Sequence, residues 1–262
     1  MNQEINEEIQ KLIDNFHVIA RKGWIKSVNK GLGSIGYTFE KELNKEPDSL
    51  YLPDYYGTEI KCTSRYSRYP ISLFTVAFDG PTFPEINRLI DKYGYYDRDY
   101  PDKKVLYENI CCMKRTEISS GYQFQLEVDD VEEKIYLCVY DLYGCLIERK
   151  SFVYFKTLYN HLMLKLNRLA VVYASKKMIN GEQYFRYYKM NVYQIKSFNI
   201  FIELIKCGEL QISLIARVSK SGFEAGQYRN KNLVFKIKKD KVDNLFQKIY
   251  SYDYDLSFIT NC

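Results

Sequence analysis

The chain has 262 residues, of which 46% are hydrophobic and 27% charged. It can therefore bury a sizeable core and is not a disordered chain. The net charge of +5 names no partner by itself. No apolar run approaches the roughly 18 residues of a membrane span, and Met1-Asn-Gln-Glu-Ile-Asn-Glu-Glu8 lacks the apolar core of a signal peptide. A cytoplasmic location and no membrane partner are expected. The seven cysteines are odd in number and none forms Cys-x-x-Cys, so free thiols are expected rather than a zinc site or a disulfide framework.

Residues 1–20 carry Ile5, Ile9, Leu12, Ile13 and Phe16 at helical spacing behind an acidic start, which predicts an amphipathic helix. A glycine-bearing loop from Gly23 leads to a second helix over Ile35–Leu43. Strands are expected at Leu50–Leu52 and Thr58–Cys62, on either side of a Pro53-Asp54 turn, and a third over Pro70–Phe78. A short helix at Pro84–Tyr93 precedes four strands, Val105–Cys112, Tyr122–Val128, Lys134–Tyr140 and Leu146–Phe152. Leu158, Leu162 and Leu166 make a helical stripe. The continuous apolar run Leu169–Ala174 that follows reads as a buried central strand. Asn180-Gly181 signals a hairpin between Ala174–Met178 and Tyr184–Met190. A helix at Phe198–Ile205 and strands at Leu210–Val218 and Leu233–Ile237 come next, the strands flanking a loop from Ser219 to Asn232. Lys238–Cys262 reads as a helix with a loose tail.

The stretch with chemistry in it is Asp54 followed by Glu59-Ile60-Lys61. On a strand, Glu59 and Lys61 share a face and Ile60 takes the other. Asp54, Glu59 and the Ile60 carbonyl could hold a hard ion such as Mg²⁺. Lys61 could orient a water beside them, and Glu40 on the preceding helix could add an acid. These are the parts of a metal-dependent phosphodiester hydrolase, although such a pattern also arises by chance on surface strands. Two histidines, His17 and His161, leave little for a histidine-metal nuclease, and no Gly-x-x-x-x-Gly-Lys-Ser/Thr loop is present. Between Gln211 and Tyr250 lie nine Lys/Arg and three acids. That local field suits a polyanion or is a solvated basic face. Lys165 and Arg168 are candidate phosphate contacts or plain helix charges.

Gly23-Trp24, Gly33-x-Ile35-Gly36-x-Thr38-Phe39-Glu40, Pro53-Asp54 with Glu59-Ile60-Lys61, and Leu73-Phe74-Thr75 together resemble the MvaI/BcnI restriction endonucleases. These are relatives of the mismatch-repair nicking enzyme MutH, with the PD-(D/E)xK fold. The resemblance continues through Phe155-Lys-x-Leu158, Leu166-x-x-Leu169-Ala-Val171, Gly208-Glu-Leu210, Ser221-Gly222-x-x-x-Gly226 and Phe235-x-Ile237. It implies an α/β fold with a mixed sheet. It implies a catalytic lobe at 1–175, with a β-rich insertion at about 85–152, and a DNA-recognition lobe at 176–262, the two forming a clamp-like monomer. Asp54, Glu59 and Lys61 match the family's catalytic residues, and Glu40 its additional acid. Mg²⁺, double-stranded DNA, a bacterial cytoplasm and a cognate DNA methyltransferase follow from the same resemblance.

A departure falls in the C-terminal part. Where MvaI-type members carry His-Asp-His-Gly, this chain has Arg229-Asn230-Lys231-Asn232. Arg and Lys pair with guanine and Asn with adenine in the major groove, so Arg229, Asn230 and Lys231 are candidate base readers. Arg217, Ser219 and Lys220 are further candidates for base or phosphate contact. A Type II restriction endonuclease is therefore expected. The alternatives are a MutH-like strand-nicking endonuclease and a catalytically silent DNA-binding protein.

Overall fold

The computed structural model describes residues 6–31, 33–44 and 53–254. In chain order the elements are α1 (Glu7–Arg21), β1 (Ile25–Lys26), α2 (Ser34–Glu42), β2 (Glu59–Ser64), β3 (Ile71–Val76), α3 (Glu85–Tyr93), β4 (Tyr95–Tyr96), β5 (Lys104–Ile110), β6 (Thr116–Ile118) and β7 (Tyr122–Asp129). They continue as β8 (Lys134–Tyr140), β9 (Leu146–Tyr154), α4 (Phe155–Leu166), β10 (Arg168–Ile179), β11 (Glu182–Ile195), α5 (Phe198–Lys206), β12 (Leu210–Val218), β13 (Tyr228–Ile237), a 3-10 turn at Lys239–Lys241, α6 (Val242–Leu245) and β14 (Phe246–Asp253). The fold is mixed α/β, as expected. None of these helices is long and apolar enough to cross a membrane.

The chain forms two compact units that interleave in sequence. One comprises Met1–Ile71, Met163–Lys196 and Asp243–Cys262, the other Ser72–Leu162 and Ser197–Val242. β10 runs through residue 175 and pairs along its length with β11.

The first unit is a sheet in the order β1-β11-β10-β2, with β14 also on β11. β2 pairs in parallel with β10, Glu59 opposite Leu169 and Lys61 opposite Val171. β10 is central, as its apolar run predicts. α1 starts at Asn6, whose side chain accepts from the Ile9 N–H at 3.0 Å, the usual way to satisfy a free helix-end donor. Its Ile9, Leu12, Ile13 and Phe16 pack with Phe39 and Leu43 against Ile60, Ala170, Val172, Tyr187 and Val192. The helices therefore cover the Ile60 face of β2, and Glu59 and Lys61 project from the other. His17 is a packing residue, 3.1 Å from the Tyr250 hydroxyl with its ring 4.3 Å from that of Tyr252.

The second unit holds two sheets, β3-β13-β12-β5-β4 and β6-β7-β8-β9. Phe74 on β3 stacks on Phe235 of β13 at 4.9 Å, and Phe201 of α5 joins them. α3 is tied to β9 by a charge network around two buried carboxylates, Glu85 and Glu148. Arg88 bridges Glu85 and Glu148, at 2.7 Å to Glu148, and Lys92 meets Glu148 at 2.6 Å. The Ser151 hydroxyl donates to Glu85 at 2.6 Å.

The strand expected at Leu50–Leu52 lies outside the described residues. Three other expectations change. β13 begins at Tyr228 rather than Leu233, so the loop before it ends at Gln227. The C-terminal helix is only α6, because Phe246–Asp253 instead adds to the edge of β11 and sets Ile249, Tyr250 and Tyr252 against the α1 core. Ala174–Met178 is not a separate strand but the continuation of β10 past a bulge at Tyr173/Ala174.

The network sets a pH dependence. Burial alone would raise the Glu148 carboxyl, but hydrogen bonds from Arg88 and Lys92 overcome it and hold the pKa at about 2. A depressed carboxyl stabilises the fold above its unfolded value and loses that contribution as pH falls through the folded one. Glu148→Gln is expected to cost roughly 2 kcal/mol at pH 7, with the gap from wild type closing between pH 4.5 and 2. Denaturant unfolding across that range checks it, and a gap constant with pH would refute the assignment.

Candidate active site and a basic hairpin

Asp54 is presented by a two-residue turn. Tyr55 and Thr58 exchange backbone hydrogen bonds at 3.0 and 2.8 Å, with Tyr56 at φ 41° and Gly57 at φ 73°, the left-handed pair a tight hairpin demands. The turn is pinned from outside. The Asn15 amide donates to the Tyr55 hydroxyl at 2.7 Å. The Arg168 guanidinium lies where a side chain on Gly57 would go, 2.9 Å from an added Cβ. Arg168 is itself paired with Glu8 at 2.9 Å. It is thus a brace for the turn in this structure.

The turn returns the chain so that Asp54 Oδ2 accepts the Ile60 N–H at 2.9 Å. β2 is the edge of its sheet. A strand residue sends its N–H and C=O to the same side, so the Ile60 carbonyl lies on the open edge with Asp54. Glu59 follows on β2, 1% exposed. Its Oε1 is paired with the Lys61 ammonium and lies 3.7 Å from Lys165 Nζ. Its Oε2 is buried with no hydrogen-bond partner. Burial pushes the Glu59 pKa up, Lys61 opposes this, and the nearby charge of Asp54 adds to the rise.

Asp54, Glu59, Ile60 and Lys61 are therefore brought together. Glu40 sits on α2, the helix over the Ile60 face, and its charge helps burial to raise the Cys62 thiol pKa. Among the described residues no group of three or more His, Cys, Asp or Glu side chains is assembled for a metal ion. The pair Asp54 and Glu59, with the Ile60 carbonyl, nevertheless fits a hard divalent ion: all its donors are oxygens, and one is a buried carboxylate oxygen without a partner. Lys165, which the sequence offered as a phosphate contact or a plain helix charge, is the addition. It stands in the last turn of α4, and the chain enters β10 beside β2 at Arg168, three residues later. No spacing reveals that without the β2–β10 pairing.

The second cluster lies on β12 and β13. Arg217 stands directly opposite Arg229, and Ala216 opposite Asn230. The register then jumps to Ile215 opposite Asn232, which leaves Lys231 as the extra residue of a bulge, with Asn232 at φ 56°. These residues are on a strand, not in the expected loop. Like charges directly opposite weaken a ladder. Desolvation, then the charges of Arg217 and Arg229, lower the Lys231 pKa. No described carboxylate forms an ion pair with any of the three. Asn230 donates to the Asn87 amide oxygen at 3.4 Å, and its own Oδ1 is buried without a partner. Lys220 differs: it pairs with Asp97 at 3.0 Å and Asp99 at 2.5 Å, so its charge is balanced locally. Ser219 is occupied by the loop, its N–H donating to Gln227 O at 2.9 Å and its hydroxyl to Ser221 O at 3.3 Å.

The model of the MvaI/BcnI restriction endonuclease family matches residues 13–246. The chain belongs to that family. It is accordingly a restriction endonuclease, a site-specific deoxyribonuclease. The solved complex of restriction endonuclease MvaI with its cognate DNA substrate matches with a TM-score of 0.87 at 25% identity, over 94% of this chain and 100% of that one. MvaI in the absence of DNA matches with a TM-score of 0.59 at 20% identity, over 95% and 99% of the two chains. No curated protein sequence matches the chain. The MvaI/BcnI resemblance read from the sequence is borne out, as is the fold.

A prediction follows for Glu59. Because burial raises its folded pKa, ionising it costs stability that is absent below the unfolded carboxylate value and fully felt above the folded one. Glu59→Gln is expected to stabilise the fold by about 1 kcal/mol at pH 7, and not below pH ~4. Thermal unfolding at the two pH values measures this; a less stable variant at neutral pH would contradict it.

Proposed function

We propose that this member of the MvaI/BcnI family is a Type II enzyme that hydrolyses phosphodiester bonds at a specific sequence in double-stranded DNA with Mg²⁺. The observation that carries the site is the buried, unpartnered Glu59 oxygen next to Asp54 on an open strand edge. Asp54, Glu59 and the Ile60 carbonyl would hold the ion. Bound there, Mg²⁺ supplies Lewis-acid stabilisation of the charge that grows on the phosphoryl oxygens. Lys61, held in place by Glu59, donates hydrogen bonds that orient the attacking water and favour its loss of a proton. Lys165 places a second ammonium at the same carboxylate, where it supports an anionic substrate. Glu40 remains a proposed auxiliary acid.

Substrate selection is proposed for Arg217, Arg229, Asn230 and Lys231. Support comes from the uncompensated charge of the hairpin and from the likeness to MvaI in complex with its cognate DNA. Arg229 and Lys231 suit guanine edges and Asn230 an adenine. Lys220 and Ser219 then act as supports of the adjoining loop, and as DNA contacts only where the duplex displaces their present partners. A monomeric enzyme in a bacterial cytoplasm, with a methyltransferase protecting the same sites, completes the reading.

Plasmid cleavage with sequencing of the cut ends tests it. Wild type with Mg²⁺ is expected to give linear product with one recurrent end sequence. A nicked circle as the final product would favour the strand-nicking alternative, and random ends would sink the restriction reading. Asp54→Ala is expected to lower cleavage by roughly 10³-fold or more. Lys61→Ala is expected to lower the rate about 10²- to 10³-fold while leaving DNA binding nearly intact. Arg229→Ala is expected to lose about 1–3 kcal/mol of discrimination at one base position. Competition binding with single-base variants of the site reads that loss, and uniform weakening would reassign Arg229 to a phosphate.

A further inference from the structure

The loop joining β12 to β13 carries midway a residue that has no structural work to do. Phe223 is fully exposed, at 101% of its reference area, six residues from Arg217 on one side and six from Arg229 on the other. An apolar ring held in water is unfavourable unless something covers it.

The loop is a built tip rather than a slack one. The Ser219 N–H donates to Gln227 O at 2.9 Å and the Gly226 N–H to Ser219 O at 2.8 Å. The Ala225 N–H donates to Gly222 O at 3.1 Å. Lys220 anchors the base to Asp97 and Asp99. The Lys103 ammonium donates to the Gly226 carbonyl and lies 5.7 Å from the Tyr228 ring. Gly222 and Gly226, at φ 78° and 83°, allow the reversal that carries Phe223 outward. Among the described residues Arg217 and Arg229, which face one another, form no ion pair with a carboxylate, and with Lys220 and Lys231 they outnumber Glu224, the one acid between residues 217 and 231, so the hairpin is net positive.

We propose that Phe223 is a wedge that enters the base stack of the bound duplex, with Arg217 and Arg229 holding the flanking phosphates or base edges. Apolar side chains carried on a cationic scaffold unstack neighbouring base steps in this way, and a two-stranded β-ribbon is slim enough to reach the bases from a groove. A polyanion with stacking faces complements both the charge and the ring. The inference rests on the DNA-cleaving function proposed above.

The test uses the full chain without Mg²⁺ and duplexes carrying the cut site, with 2-aminopurine placed at each position in turn. Wild type is expected to raise fluorescence several-fold at one position or two adjacent ones. Phe223→Ala is expected to abolish that rise and weaken binding about 10-fold; Phe223→Trp is expected to retain both. Since the ring touches nothing, thermal unfolding should be the same for all three. Flat fluorescence from a wild type that binds and cuts normally would overturn the wedge and leave the endonuclease reading standing. Flat fluorescence together with concentration-dependent self-association that Phe223→Ala removes would overturn it in favour of a contact between copies. Wild type that neither binds nor cuts any duplex would remove the endonuclease reading and the wedge with it.

Discussion

Burial of one carboxylate on an edge strand is the constraint around which the first unit is arranged. Glu59 is pinned by β2, and β2 by its parallel ladder to β10. The Ile60 side of that ladder is closed by α1 and α2, so the strand cannot rotate to expose the charge without withdrawing Ile60 from the core. An ionised carboxylate so placed is costly. Lys61 and Lys165 offset part of the cost at one oxygen, while the other stays without a partner. Local stability is thereby given up at the point where chemistry requires a charged, desolvated donor.

The same logic recurs in the second unit with the opposite sign. Arg217 and Arg229 face each other across a hairpin, with Lys231 bulged beside them. The ladder tolerates this because its other face is deeply buried, from Leu210 and Ile212 to Leu214, Ala216 and Val218, and because Phe74, Phe201 and Phe235 pack in the same unit. A bulge turns a side chain out of the regular alternation. Here it adds a cation to a face that two arginines already occupy. Asp97 and Asp99 are committed to Lys220, and Glu85 and Glu148 to Arg88, which leaves Glu224 as the one acid in a hairpin that carries Arg217, Lys220, Arg229 and Lys231. The outcome is balanced charge in the supports and unbalanced charge on the hairpin, which is what recognition of a polyanion asks of a scaffold.

Period and local chemistry made much of this legible in advance. Helical spacing in Ile9, Leu12, Ile13 and Phe16 is a short-range property, as is the apolar run Leu169–Ala174, and both elements are where the sequence placed them. The alternation of Glu59, Ile60 and Lys61 fixes which of them share a face whatever the strand pairs with. The linear motifs around Gly33–Glu40 and Asp54–Lys61 were sufficient for the family, since they join residue type to order along the chain.

Long-range pairing decided the rest. Phe246–Asp253 has enough polar and aromatic residues to read as a helix end, and it is a strand only because β11 offers an edge to it. Arg229, Asn230 and Lys231 look like loop residues because charged and amide side chains are poor strand formers. The ladder to β12 makes them a strand and sets Arg217 opposite Arg229. Lys165 joins Glu59 through the β2–β10 register alone, although the two lie 106 positions apart in sequence (165 minus 59). Residue type and period, acting over a few residues, determined the elements and the chemistry they carry. Which charges meet, which oxygen is buried and which ring is left in water depended on strand register between distant segments, and no local pattern encodes that.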